Sequence, residues 1–326
     1  MSVSSRWNYF KRIFKAYLGT SESQLTFWHG VPRVNLDLER ERIGPYYMLF
    51  KEKAEYQGEF DQNGIPLLNY HGEIGYQYNP IAISQYGLGN YNLYTKFKEK
   101  ENFHKFIRTA NWLIDHLEKN QNGIPVWMHH FDFEYRDTLN SPWYSGLAQG
   151  QGVSVLVRAY QETKDEKYLI AADEAFLSFG LSLERGGVIA YDQNDNLWIE
   201  EYIVKPPTHI LNGFIWALWG VYDYYLLTES QWAKKIFQAG VKTLSQNIHR
   251  YDIGYWSLYE LSATRLKMIA SPFYHQLHIV QLIVMYKLTR KERFLEYAKK
   301  WENYQNKKFF QLIALFQKVV FKLIYY

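Results

Sequence analysis

The sequence predicts a mainly α fold: a curved ring or toroid of αα-hairpins, with short β-hairpins inserted at the rim of a cleft. Three observations carry that expectation. Long apolar segments come in pairs, the breaks inside the pairs resemble one another, and the landmarks recur about every 60–70 residues, the span of one hairpin with its connections. Each hairpin hides one face only by packing beside the next, so a curved ring follows.

Taken in order, residues 1–100 are the least regular and read as an N-terminal extension that packs on the toroid and contributes to the cleft. Within it, Trp7, Phe10, Ile13, Phe14, Tyr17 and Leu18 share one helical face, opposite Arg6, Lys11, Arg12 and Lys15. Residues 101–305 form the toroid itself. A helix from Asn102 to Lys119 closes a first pair with the segment before it. A second pair runs from Trp143 to Phe179, broken at Lys164-Asp165. A third runs from Thr208 to Asn247, broken at Thr228-Glu229-Ser230, and a fourth from Pro272 to Tyr304, broken at Thr289-Arg290-Lys291. Tyr160-x-x-Thr163 before Tyr168-Leu169 matches Tyr286-x-x-Thr289 before Phe294-Leu295, and Tyr225-x-x-Thr228 with Trp232 is a looser copy. Between pairs, Gly123 to Asp137 (Val126, Trp127, Phe131, Phe133, Tyr135) and Gly187 to Val204, around the polar turn Asp192 to Asn196, have the alternation of strands. Residues 306–326 form a basic amphipathic helix. Its stripe is Phe309, Leu312, Ile313, Phe316, Val320 and Leu323, with Lys308, Lys318 and Lys322 elsewhere. Basic helices of this kind either lie on an anionic membrane surface or dock on the body of the protein. No stretch reaches the roughly 18–20 apolar residues of a membrane span, and no secretory signal is visible. A cytoplasmic protein, peripheral at the inner membrane face if at all, is expected.

Composition excludes several function classes. The 326 residues are 47% apolar with a net charge of +4, which gives no case for nucleic-acid binding. The absence of cysteine removes disulfides, thiolate nucleophiles and Cys-based zinc sites. No dinucleotide fingerprint, P-loop, nucleophile elbow or His-Glu-x-x-His is present, and no cofactor is expected. His129-His130 and His275-x-x-His278 are the close histidine pairs, but no third ligand accompanies either, so no metal is expected. The excess is aromatic: 29 Tyr, 20 Phe and 11 Trp. Tyrosine joins an apolar face to a hydroxyl, which suits sugar rings and ordinary cores alike. The tyrosines concentrate beside polar residues in four places: Tyr76 to Tyr86, Trp143-Tyr144, Glu200-Glu201-Tyr202, and Tyr259 with Tyr274.

Those segments carry a resemblance. Trp143-Tyr144-Ser145-Gly146-Leu147-Ala148-Gln149-Gly150-Gln151 resembles the Trp-Tyr-Ser-x-x-Ala-Gln-Gly-Gln motif of the D-glucuronyl C5-epimerase family. Glu200-Glu201-Tyr202 with Leu211-Asn212-Gly213-Phe214 is similar to its Glu-Glu-Tyr and Leu-Asn-Gly-Phe. Tyr251-Asp252-x-Gly254, Leu258-Tyr259-Glu260-Leu261 and Tyr274-His275-x-x-His278-Ile279-x-Gln281-Leu282 are similar to three further segments, in the same order. Upstream, Tyr78-Asn79-Pro80-Ile81 and Gln85-Tyr86-Gly87-Leu88 resemble its Tyr-Pro-Ile and Gln-Tyr-Gly-Leu. There are departures. Where animal members carry a β-sandwich, only Asn90 to Glu101 stands here, and Ser262 replaces an arginine common after Tyr-Asp-Leu, with Arg265 one helical turn on.

The resemblance implies that the ring is an incomplete (α/α) toroid, and it implies inversion of carbon 5 of glucuronate within a polysaccharide, heparosan-like or another capsular polymer. The proton removed lies beside a carboxylate, so one group must take it and another return one to the opposite face. It implies Glu201, Tyr202, Tyr259 and Tyr274 as catalytic residues. Tyr78, Tyr86, Trp143, Tyr144, Gln149, Asn212, Arg265 and His275 are implied as substrate-binding ones. The partners implied are the glucuronate polymer, glycosyltransferases of the same pathway and a second copy of the chain. Two alternatives stay open: a uronate polysaccharide lyase, which takes the same proton and then expels the group at carbon 4, and a non-catalytic glycan-binding protein.

Overall fold

A computed structural model describes residues 31–70, 72–135 and 138–325. The amphipathic face expected in Met1 to Leu18 lies outside the described residues. Four helical hairpins follow one another: α1 (Pro80–Phe97) with α2 (Lys100–Asp115), α3 (Gly146–Thr163) with α4 (Glu166–Phe176), α5 (Leu211–Thr228) with α6 (Gln231–Asn247), and α7 (Pro272–Thr289) with α8 (Glu292–Gln305). The odd-numbered helices pack side by side, α1 on α3, α3 on α5 and α5 on α7, with their partners outside. Among the described residues α1 and α7 share no comparable packing, so the toroid is incomplete as expected. The first hairpin begins at Pro80, so the boundary expected at residue 100 falls inside its turn. Asn90 to Glu101, where a further domain was expected to be missing, is the end of α1 and that turn.

The layers differ because their surroundings differ. Inner helices are covered on all sides: every residue from Gly146 to Ala159 and from Leu211 to Asp223 is buried. Outer helices bury one stripe, such as Ala233, Ile236, Gly240, Val241 and Leu244 on α6. The inner helices α3 and α5 approach through glycine, since a Cβ at Gly150 would stand 2.4 Å from the Ala217 Cα. Farther along the same pair Arg158 and Asp223, both fully buried, form a two-pronged ion pair of 2.6 and 3.1 Å, to which Tyr47 adds its hydroxyl. Residues 33–54 cross this end of the array, Tyr46 and Tyr47 packing on Trp219 and Arg40 donating to the Leu288 carbonyl.

The repeated Tyr-x-x-Thr motif is a turn device. After each inner helix one residue turns left-handed (Lys98, Lys164, Glu229 and Arg290, φ 59, 57, 54 and 58°) and its N–H returns to the carbonyl of Tyr94, Tyr160, Tyr225 or Tyr286. Asp165 and Ser230 then cap the next helix with their side chains.

All strand pairs are antiparallel and lie at the other rim. β1 (Leu68–Asn69) pairs with β2 (Tyr76–Gln77). β3 (Leu117–Lys119), β4 (Pro125–His129) and β7 (Trp143–Tyr144) form a three-stranded sheet, while β5 (Phe133–Glu134) pairs with β6 (Thr138–Leu139) and β8 (Ile189–Tyr191) with β9 (Leu197–Ile199). The helix expected to reach Lys119 stops at Asp115, because residues 117–119 pair with 125–127 instead.

The last helix, α9 (Lys308–Tyr325), docks through Ala314, Leu315, Lys318 and Phe321. The stripe read from the sequence is not the docked one: Phe309, Leu312, Phe316 and Leu323 are 50–71% exposed, while Lys318, which lies off that stripe, is buried. No described helix is long and apolar enough to cross a membrane.

Candidate active site

The N-terminal ends of α3, α5 and α7 converge on one rim, and the segments leading into them carry the tyrosine clusters. Trp143-Tyr144 precede α3, Glu201-Tyr202 precede α5, and Tyr274 stands in the first turn of α7. Tyr259 arrives from an irregular ribbon, in which its N–H donates to the Met268 carbonyl and its own carbonyl accepts from Leu211 at the start of α5 (2.8 and 3.1 Å). Residues far apart in sequence thus meet because helix starts share a rim.

Tyr135, Tyr202 and Tyr259 form a buried cluster with Leu139 and Ile210, bordered by Phe133, Trp143, Met268 and Tyr274. The Tyr259 and Tyr274 rings meet edge to face at 4.9 Å. Tyr202 lies 4.7 Å from Tyr135 and 5.7 Å from Trp143, centroid to centroid. Glu200 and Glu201 point in opposite directions. Glu200 is structural: it accepts from the backbone N–H groups of Thr208 and His209, and its other oxygen meets His209 Nδ1 at 2.5 Å. Glu201 turns toward the tyrosines, accepts from Asn212 Nδ2 (3.2 Å), and occupies the space that Gly213 leaves by having no side chain.

Electrostatics set these groups apart from ordinary surface residues. Burial, reinforced by the charges of Glu260 and Glu200, pushes the Glu201 carboxyl up to about 8, against the pull of the neighbouring Tyr202 and Asn212. Burial, then the Glu201 charge, raises Tyr202, Tyr259 and Tyr274 well above the usual phenol range. The tyrosines therefore hold their protons near neutral pH, whereas the Glu201 carboxyl titrates close to it.

All four expected catalytic residues are brought together, with Asn212 and Trp143 beside them. Trp143 stacks one face on His129 at 3.8 Å, leaving its other side toward Phe133 and Tyr202. Tyr144 is half-buried on the adjoining strand, near the Gly187 carbonyl. The remaining expected binding residues sit elsewhere, each for a physical reason. Gln149 is fully buried, accepting from Trp127 N–H and donating to Ala175 and Ser178, so it ties β4 to the hairpin behind it. His275 stacks on Trp256, and its nitrogens are engaged by Ser257 and the Trp301 carbonyl; burial lowers it to about 4. Its partner His278 contacts the same Ser257. Tyr86 is buried against Phe60. Tyr78 is 37% exposed, donates to Asp61 and packs by Trp112 and His116. Arg265 is exposed on the loop that closes the Tyr259 ribbon.

Three contributors were not singled out as site residues. Tyr135 donates to the buried carboxylate of Glu260, next to Tyr259 in the chain. Its signal was present, as the last of the alternating Phe131, Phe133, Tyr135. Tyr70, after β1, lies 4.4 Å from Phe131 and close enough to Tyr274 to raise it, with no sequence signal of its own.

A buried carboxyl with a raised pKa thus stands among buried tyrosine side chains at the rim of a helical toroid. Residues 120–303 match the family model described as D-glucuronyl C5-epimerase C-terminus, and the chain belongs to that family. It is 32% identical over 225 residues to the D-glucuronyl C5-epimerase of Caenorhabditis elegans, a match covering 64% of this chain but 36% of that protein. It is 29% identical over 245 residues to an uncharacterised protein of Methanocaldococcus jannaschii, covering 70% of this chain and 78% of that one. Among solved structures, an unsaturated glucuronyl hydrolase specific for heparin superposes with a TM-score of 0.49 at 10% identity, over 99% of this chain and 98% of that one.

Proposed function

We propose that the protein inverts carbon 5 of D-glucuronate residues within a polysaccharide, giving L-iduronate. The observation that carries this reading is the single cluster in which Glu201 and Tyr202 face Tyr259 and Tyr274. In it, Glu201 takes the proton from carbon 5 and a tyrosine of the Tyr259–Tyr274 pair returns one to the opposite face; the reverse direction exchanges the roles. Between the two transfers the substrate carries an enolate-like charge spread over its carboxyl group. Donors that would meet this charge are the Tyr202 hydroxyl, the Asn212 amide and the N-terminal ends of α3, α5 and α7. Trp143 and Tyr144 would supply aromatic surface for sugar rings.

The test is incubation with a glucuronate-containing polymer in deuterated water. Deuterium at carbon 5 together with iduronate signals is the expected result, and no exchange on any such polymer overturns the reading. An unsaturated, ultraviolet-absorbing product would assign the site to lyase chemistry instead. Binding without exchange would leave a glycan-binding protein.

A further inference from the structure

The ribbon that carries Tyr259 is held from outside the toroid. Its two sides, 257–259 and 268–270, are joined by the bonds Tyr259 N–H to Met268 and Ala270 N–H to Ser257 (2.8 and 2.9 Å). The C-terminal helix α9 lies against this ribbon and meets it with polar groups in four places. Lys318 Nζ donates to the Ile269 carbonyl at 2.9 Å and Gln317 Nε2 to the Lys267 carbonyl at 3.1 Å. Gln317 also accepts from the Tyr255 hydroxyl, and the Tyr325 hydroxyl accepts from Leu266 N–H. Lys318 is the unusual member. It is 7% exposed, whereas Lys308 of the same helix is exposed, and it feels the negative charge of Glu260, the residue that holds Tyr135 in the cluster. A buried ammonium is costly unless hydrogen bonds and an opposite charge compensate it, and here both converge on the residues flanking Tyr259.

We propose that α9 is part of the functional site and that Lys318 is a positioning residue: by anchoring the Ile269 carbonyl, beside Gln317 on the Lys267 carbonyl, it fixes the Tyr259 ribbon for proton transfer. The proposal rests on the epimerase reading for its activity arm and on hydrogen bonds alone for its structural arm. Lys318 touches no reacting atom. Its effect is geometric, and misplacement of a transfer group by a fraction of an ångström weakens catalysis without weakening ground-state binding.

The experiment compares the full chain with K318M, K318R and Q317A, reading amide hydrogen exchange of the 255–270 segment alongside kcat and KM for carbon-5 exchange. In K318M the ribbon amides, Tyr259 and Ala270 included, are expected to lose protection, and kcat to fall about 10- to 100-fold with KM little changed. K318R, which keeps charge and donors, is expected to recover most of both. If K318M does not fold, Q317A, which removes a half-buried donor to the same ribbon, is expected to give the same pattern in milder form. Unchanged ribbon protection in K318M, or in Q317A where K318M does not fold, overturns the clamp. Loosened ribbon with wild-type kcat overturns the positioning role. A wild-type protein without carbon-5 exchange would fail the epimerase reading, while the protection data would still decide whether α9 holds the ribbon.

Discussion

The Glu201 carboxylate stands where a side chain on Gly213 would be: a Cβ added at 213 would lie 2.1 Å from Oε2 and 2.6 Å from the Glu201 Cβ. Gly213 is the third residue of α5, so the helix start that donates toward the site also makes room for the acid it serves.

Gly213→Ala is therefore expected to push Glu201 out of the tyrosine cluster. Carbon-5 exchange should fall about 100-fold or more, while the helix, gaining a better helix former, stays folded. Exchange kinetics and circular dichroism on the same preparation check this; a fully active variant would remove Glu201 from the chemistry.

Tyr259→Phe and Tyr274→Phe each delete one hydroxyl and leave the rings packed. Loss of exchange by about 100- to 10,000-fold is expected for the residue that moves the proton, with stability changed by about 1 kcal/mol. Deuterium incorporation measured separately from each epimer distinguishes which tyrosine serves which direction.

Stability should also report on Glu201. Its carboxyl ordinarily titrates near 4.5 and in the fold near 8, so the folded state keeps a proton that the unfolded chain has released. The contribution is complete below pH ~4.5, declines as pH rises toward ~8 and is level above that. Melting temperatures of wild type and E201Q, followed from pH 5 to 8, should diverge, with the wild type losing relative stability as pH rises. Parallel curves would mean that the carboxyl is not buried as described.

Gln149→Leu should behave as a core defect and not as a binding defect. It strands the Trp127 N–H in the interior, at a cost of about 1–3 kcal/mol, while the Ala175 carbonyl keeps the Ser178 hydroxyl as donor. Below its lowered melting temperature, KM for the polymer should be unchanged.

The hairpins were legible because their punctuation is local. Thr163-Lys164-Asp165 and its copies mark both the end of one helix and the cap of the next, and the structure places left-handed turns there. The clustered quartet Glu201, Tyr202, Tyr259 and Tyr274 was legible through motif resemblance, and its convergence follows from helix starts sharing a rim. What sequence could not show was direction. Gln149 and His275 sit inside matching motifs, yet both face the core, where their polar groups close hydrogen bonds between elements. The C-terminal helix misled for a related reason: its more apolar stripe is the exposed one, because Gln317 and Lys318 find carbonyl and hydroxyl partners on the Tyr259 ribbon.

The four left-handed turns also divide the molecule's freedom. Each returns the chain within two residues at the rim away from the site, which fixes the inner helices relative to one another like staves set in a base. Between hairpins the slack of the chain is spent at the other rim, in 116–145, 177–210 and 248–271, which carry every β-hairpin after the first and the Tyr259 ribbon. The width of the mouth can change by lengthening or trimming those three segments while the base stays the same, so the outline of the cleft and the frame of helices behind it are set by separable parts of the chain.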